Sequence, residues 1–443
     1  MRRPHAPVAP SCRWYPAGRA RNVTNPPPAA RPRHRLVAVG TMLAALALVR
    51  PAEAAAVPSA QEIVTTEAGI AAAMYGDALA AGETLRRSVL AFLAEPSAPM
   101  LDAARAAWIA AREPYEMAAS LGFASPRTAA WQRRVDAWPI EPGLIDYTAA
   151  PARTGENPFA HADVIGRRAI TIGGRTVMAD EIDRRLLAAL QDADGIPTNV
   201  AAGYHVVEFL LWGEGGRRPA GDYARDACAH DDCGRRRAYL RLATDLLVED
   251  LGRIATDWAA GGSARAALLA EPPAQALAAL FTAFGDESFQ SLAGERLKLS
   301  LVLHDDDAAE DCFSGAAAAD FVAAERGLAA LYRGHYRSAR GAVVAGPGIA
   351  ALGAARAPDQ AAAVEAAMTA AAEALEAIAA AAESAGGYGR LIAPRNAAGS
   401  RLIGRGIHAL FVQARAGESL AKTLGVETRV EGGDRLAAPP PPR

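Results

Sequence analysis

The segment Gly203-Tyr-His-Val-Val-Glu-Phe-Leu-Leu-Trp212 carries two residues that stand apart from their surroundings. His205 and Glu208 are three positions apart, so a helix sets both side chains on one face. Val206, Val207, Phe209, Leu210, Leu211 and Trp212 cover nearly every other direction, which predicts a helix buried all round. A buried carboxylate is costly unless it is paired, coordinated or protonated. Two chemistries answer that cost. In one, His205 and Glu208 hydrogen-bond each other, or Glu208 pairs with an Arg from another helix, and the pair fixes packing. In the other they ligate a divalent metal ion, for which imidazole plus carboxylate suits iron or zinc. Two ligands are too few, so a third must come from elsewhere in the fold. The His-Glu-x-x-His arrangement is absent, since no His in the chain is followed directly by Glu.

The elements that must position this pair read as helical. The chain has 443 residues, 51% hydrophobic and 22% charged, a globular composition with length for two domains. Alanine dominates the apolar set and aromatics are only 6%, which predicts an all-α fold. Helical spacing runs from Ser59 to Glu95, and a second helix starts at Ser97 and is kinked or ended by Pro114. Further helices are expected over 180–190, 198–212, 237–258, 273–304 with a break near Gly285, 317–336, 359–384 and 400–424. The Gly-, Arg- and Asp-rich stretch 216–237 reads as a linker. Two helix bundles packed together are therefore expected, at 59–215 and 238–425, followed by a Pro-rich tail over 426–443.

The N-terminus reads as an export signal. Arg31-Pro-Arg-His-Arg35 is followed by an apolar run from Leu36 to Val49, too short to span a membrane, and by a small-x-small site at Ala52-Glu-Ala54. Residues 1–54 hold nine Arg and one acidic residue. The formal charge of −2 thus describes a precursor, and the remainder carries 38 basic and 48 acidic residues. That balance gives no case for a nucleic-acid partner and suits cation capture. No later stretch reaches about 18 uninterrupted apolar residues, so no transmembrane span is expected in the mature protein. The expected location is the cell envelope, in the periplasm or at the outer membrane. In an oxidising compartment Cys228 and Cys233 read as a disulfide, ahead of a metal site with His230. Cys12 falls in the leader, and Cys312 is left over as a buried or free thiol.

The motifs taken together resemble the imelysin-like family. Gly203-Tyr-His205-Val-Val-Glu208 is similar to its GxHxxE motif. Trp108-Ile-Ala-Ala-Arg112-Glu-Pro-Tyr115, Ala137-Trp-Pro-Ile-Glu141 through Ile145-Asp-Tyr147, and Ser288 to Arg296 followed by His304-Asp305 resemble three further family segments in the same order. The resemblance spans about residues 60 to 425. It implies an all-helical fold of two bundles with a pocket near the GxHxxE helix. Family members include an insulin-cleaving peptidase and iron-regulated envelope proteins. One departure concerns Asp311-Cys-Phe-Ser-Gly-Ala-Ala-Ala-Ala319, where the family run is more polar, which puts a ligand role for that loop in doubt.

Among other residues, Glu295 is the expected third ligand or anion partner, and Arg296 the expected charge partner of a site carboxylate. His304 lies nine residues beyond Glu295, on the opposite face of a continuous helix, so only one of them serves the site. Arg112 and Tyr115 are candidates for the pocket wall. Glu141 and Asp146 are weaker candidates from a Pro-rich turn. Asp305, Asp306 and Asp307 lack the spacing of a calcium loop. His408 reads as a core histidine, while His161 and His335 have loop contexts. The expected function is metal binding in iron uptake or handling, with other envelope iron-uptake components as possible partners. The alternatives are a metallopeptidase, for which no Glu adjoins a ligand His as general base, and a helical interaction module.

Overall fold

The computed structural model describes residues 56–148, 157–226, 228, 232–305 and 309–428. The leader over 1–54, most of the tail, Cys12, His230, Asp306 and Asp307 lie outside them. Helix accounts for 69% and strand for 4%, so the fold is all-α as expected. The chain runs through α1 (Ala60–Ala94), α2 (Ala98–Glu116), α3 (Leu121–Ala124), α4 (Pro126–Val135) and α5 (Pro142–Ile145). A hairpin of β1 (Ala169–Ile172) and β2 (Arg175–Met178) follows, antiparallel, with Ala169 opposite Met178. Next come α6 (Arg184–Leu190), α7 (Tyr204–Trp212), α8 (Cys233–Trp258), α9 (Ser263–Ala270) and α10 (Pro273–Asp286). No break occurs at Gly285. The helix continues through a π-helical stretch (Glu287–Leu299) into α11 (Ser300–Leu303). The remainder is α12 (Ala317–Arg333), the β3 (His335–Arg337) and β4 (Val343–Ala345) hairpin, α13 (Ile349–Arg356), α14 (Pro358–Ala385), α15 (Gly389–Ile392) and α16 (Ala397–Thr423).

Local signals explain the ends that matter. Ser59 and Glu62 form a reciprocal capping box at the start of α1. Pro114 sits inside α2 without ending it, and the helix continues to Glu116. Those two residues place Glu116 one turn beyond Arg112.

Three apolar cores hold the helices. The first packs α1, α2, α7 and α8 through Met74, Phe92, Trp108, Phe209, Leu247 and Trp258. The second joins the π-helical stretch, α12, α14 and α16 through Leu292, Leu297, Phe321, Leu375 and Leu410. The third sets Ile63 and Val64 of α1 against Phe281, Tyr332, Ile349 and Leu420. The long α1 therefore belongs to both halves.

Helix α8, which begins within the stretch 216–237, packs mainly on α1 and also on α4, α7 and α9. The stretch before it is polar but anchored, with Arg218, Asp222, Tyr223, Arg235 and Arg236 all buried. Asp146 takes two hydrogen bonds from Arg236, at 2.6 and 2.8 Å, and one from Arg218 at 2.7 Å. Burial opposes the charge on Asp146, but the two arginines outweigh it and lower its pKa. Polar composition here marks a buried ion cluster, not a linker. The Cys228–Cys233 disulfide is present, with Cα atoms 5.8 Å apart, which removes both sulfurs as metal ligands. Cys312 is buried and is not a free thiol.

One buried acid lies away from all of these clusters. Glu67 Oε2, Ser120 Oγ and the Tyr332 hydroxyl have no hydrogen-bond partner. All three residues line one cavity of about 20 Å³, room for a single water molecule. Burial pushes the Glu67 carboxyl well above its ordinary 4.5. The folded protein then holds a proton that the unfolded chain releases, so stability falls as pH rises above the unfolded value. Glu67→Gln removes that penalty. Its melting temperature should exceed the parent's at pH 8, with the gap closing toward pH 4, read by circular dichroism melts across that range.

Candidate metal centre

The start of α7 sets the geometry. Gly203 has φ +112°, and a side chain there would meet the Val135 carbonyl at 2.7 Å. Only glycine combines that backbone angle with so close an approach. The contact brings α7 against the end of α4 and sets Asp136 beside His205. At the other end of α7, Arg105 donates to the carbonyls of Leu211 and Arg218 at 2.9–3.2 Å and stacks over Trp212. Trp108 of α2 donates to the Tyr204 carbonyl at 3.0 Å, and Tyr204 returns a bond to Ala111 at 3.2 Å.

His205, Glu208 and Asp311 form one cluster, with donor atoms within 4.8 Å of one another. Their exposures are 1%, 0% and 0%, so the cluster is sealed from bulk water. Nδ1 of His205 lies 3.4 Å from Glu208 Oε2 and 3.2 Å from Asp311 Oδ1. Nε2 lies 3.1 Å from Asp136 Oδ1. Both ring nitrogens therefore face carboxylates. A neutral imidazole always has one bare nitrogen, which would here meet an oxygen lone pair to lone pair. The ring must carry two protons, or one nitrogen must bind a cation. Burial works against the charged ring, but its contacts with Asp136, Asp311 and Glu208 outweigh that and hold its pKa well above 6.5.

Asp311 arrives on the loop between α11 and α12. Its φ is +51°, a left-handed conformation that Asp tolerates better than most residues. The turn lets the Ser314 N–H donate to Glu208 Oε1 at 2.7 Å. Phe313 anchors the loop against the rings of Phe209 and Trp138. Asp311 Oδ1 is buried with no well-aligned donor, an acceptor open to a cation.

Arg112 organises the surrounding charge. Its guanidinium bonds Glu116 at 2.7 Å, Asp320 at 2.7 Å, Asp311 at 3.2 Å and Asp136. The rings of Trp108, Tyr115 and Tyr204 pack around it at 5.0–5.8 Å. Arg296 extends the network to Glu116 at 2.6 Å and Glu310 at 3.1 Å. Six carboxylates (Glu116, Asp136, Glu208, Glu310, Asp311 and Asp320) thus face two guanidiniums and one imidazole. Even with the imidazole charged, negative charge is in excess. Protons take up part of it. Burial raises Glu116 to about 8, and burial also raises Asp320 and Glu310. Burial disfavours the charge on Asp136 too, but there Arg112 and His205 prevail and lower its pKa.

His205 and Glu208 share one buried face, Arg112 and Tyr115 form the adjoining wall, and Arg296 is a charge partner through Glu116. Glu295 does not join them. The buried stripe of its segment is Leu292, Ala293, Arg296, Leu297 and Ser300, which turns Glu295 to solvent. The third carboxylate is Asp311, from the loop whose role was in doubt. Glu141 instead caps α5 through Gly143 N–H, and Asp146 holds the Arg218–Arg236 cluster. His304 ends α11 in a left-handed conformation with its ring on the Ile392 carbonyl. His408 is only half-buried, and His161 and His335 are exposed. Sequence reasoning missed Asp136, Glu116 and Asp320. Glu116 had a signal, its i,i+4 spacing from Arg112. Asp136, at the end of a short helix, had none.

Comparison with known proteins bears on this arrangement. The family model described as Imelysin matches residues 71–416. The chain belongs to the imelysin family. A solved structure from Parabacteroides distasonis, described as an iron-regulated protein A precursor, is similar with a TM-score of 0.58 at 16% identity. It is matched over 84% of this chain and 98% of its own. An imelysin-like protein from Psychrobacter arcticum is similar with a TM-score of 0.50 at 18% identity, over the same shares. At such identities the likeness speaks for the fold. No curated protein matches the sequence.

The Arg112 network gives a direct stability prediction. Removing one partner from a buried ionic network leaves charges unpaired and costs about 3–5 kcal/mol. Arg112→Met should lose stability on that scale. Arg112→Lys should recover only part of it, because an ammonium cannot serve four carboxylates with a planar fork. Urea unfolding of the three proteins at constant pH measures both.

Proposed function

We propose that this imelysin-family protein binds a metal cation at His205, Glu208 and Asp311 and serves iron handling in the cell envelope. One observation carries the reading: both nitrogens of a sealed imidazole face carboxylates, inside a cluster with excess negative charge. The donor set fits an ion. Nδ1 and two carboxylates would hold it, and Asp136 would accept from Nε2–H, the outer partner that ligating histidines usually have. One imidazole and two oxygen donors suit iron, manganese or zinc. The similar Parabacteroides protein is described as iron-regulated, which favours iron among these. Among the described residues no single helix is long and apolar enough to cross a membrane. The leader motif and the Cys228–Cys233 disulfide favour an oxidising envelope compartment.

Burial supports binding over peptide hydrolysis. Metal-assisted cleavage brings a scissile carbonyl to the ion. Ligands exposed by at most 1% leave no room for a polypeptide there.

Metal analysis of protein purified without added chelator tests the proposal. The expected result is about one ion per chain, with binding weakened at least about tenfold in His205→Ala and Asp311→Asn. Glu295→Gln should bind as the parent does. Absence of any bound ion after equilibration with Fe(II), Mn(II) and Zn(II) would sink the reading, as would full binding by both ligand variants.

A further inference from the structure

A second cleft, of about 610 Å³, lies where the C-terminal end of α1 meets α6 and the first turns of α8. None of its lining residues belongs to the His205 cluster. Leu90, Leu93, Ile182 and Leu242 give it an apolar floor, and Arg225 and Arg237 stand at its side. Its volume falls in the range of small-molecule sites, about 300–1,000 Å³.

Four arginines line the cleft, Arg184, Arg225, Arg237 and Arg241, together with Asp183 and Asp245. Within the cleft Arg184 is held by Glu249, at 2.8 Å for one of two contacts, and Arg241 approaches Asp245 at 3.8 Å. Arg225 and Arg237 have no carboxylate partner among the described residues. Each gives one hydrogen bond to the Leu93 carbonyl, at 3.5 and 3.0 Å, where the negative end of α1 favours cations. A guanidinium has five N–H donors, so most remain unused. Arg237 is half-buried and feels Arg225 as its charged neighbour; burial first, and that like charge second, lower its pKa. Two like charges facing one concavity, in a chain with more acids than bases, create a local positive field that favours an anion there.

We propose that this cleft binds a small organic anion, with a phosphate or carboxylate head on Arg225 and Arg237 and an apolar body on the leucine floor. Guanidinium pairs recognise such heads through charge-assisted, often bidentate hydrogen bonds. The apolar floor selects against bare inorganic ions. The site is independent of the metal centre, so loss of one leaves the other in place.

Isothermal titration of the purified protein with octyl phosphate, octanoate, octanol and inorganic phosphate tests this. At least one of the two anionic amphiphiles should bind saturably, one per chain. Octanol and inorganic phosphate should each bind at least about tenfold more weakly. The tighter of octyl phosphate and octanoate identifies the head group. Arg225 is exposed, so Arg225→Gln should keep the parent's melting curve while weakening the amphiphile at least about tenfold. Undiminished binding in an Arg225→Gln, Arg237→Gln variant would overturn the proposal. So would octanol binding as well as the anions, or no saturable binding of either anion up to about 1 mM.

Discussion

The structure depends on the charge of Arg112. A guanidinium with 1% exposure would be prohibitively costly alone, yet here it bonds Glu116, Asp136, Asp311 and Asp320 inside an aromatic collar. Those carboxylates come from α2, the end of α4, the 309–316 loop and the start of α12. One side chain thus ties together segments nearly two hundred residues apart. Two of its partners, Asp136 and Asp311, also touch His205. The guanidinium therefore fixes the groups that fix the imidazole.

The same network explains how the site can be both buried and acidic. Glu116 and Asp320 are pushed upward by burial and share protons with their surroundings, while Asp136 is held ionised by Arg112 and His205. The cluster is a reservoir of negative charge that protons occupy when no other cation does. The small cavity beside Glu310 and Asp311, bordered by Gly386, Gly387 and Gly389, lies on the outer side of this loop. Its volume of about 20 Å³ is room for a single water molecule.

Much of this was legible in the chain. The all-α fold followed from alanine-rich helical spacing, and the central pair from a carboxylate placed among Val206, Val207, Phe209 and Leu210. The disulfide followed from two cysteines in a polar loop. What was not legible has a physical reason in each case. Glu295 looked buried because leucines surround it in sequence, but the π-helical hydrogen bonding of its segment widens the turn, and Arg296 takes the inward face. Asp311 looked unsuited to a site because Gly315 to Ala319 lack the polar side chains of the family run, whereas its left-handed backbone aims it at His205. The stretch 216–237 looked like a linker because buried arginines and aspartates have the composition of an exposed loop. Only the three-dimensional pairing with Asp146 distinguishes the two.

The central claim is that a cation sits among His205, Glu208 and Asp311. Anomalous X-ray diffraction from crystals equilibrated with Fe(II) or Zn(II) addresses it most directly. The account predicts one strong peak bonded to His205 Nδ1 and to both carboxylates, with Asp136 still on Nε2. A peak confined to other residues, or an imidazole hydrogen-bonded directly to Glu208 and Asp311 with no ion between them, would contradict it.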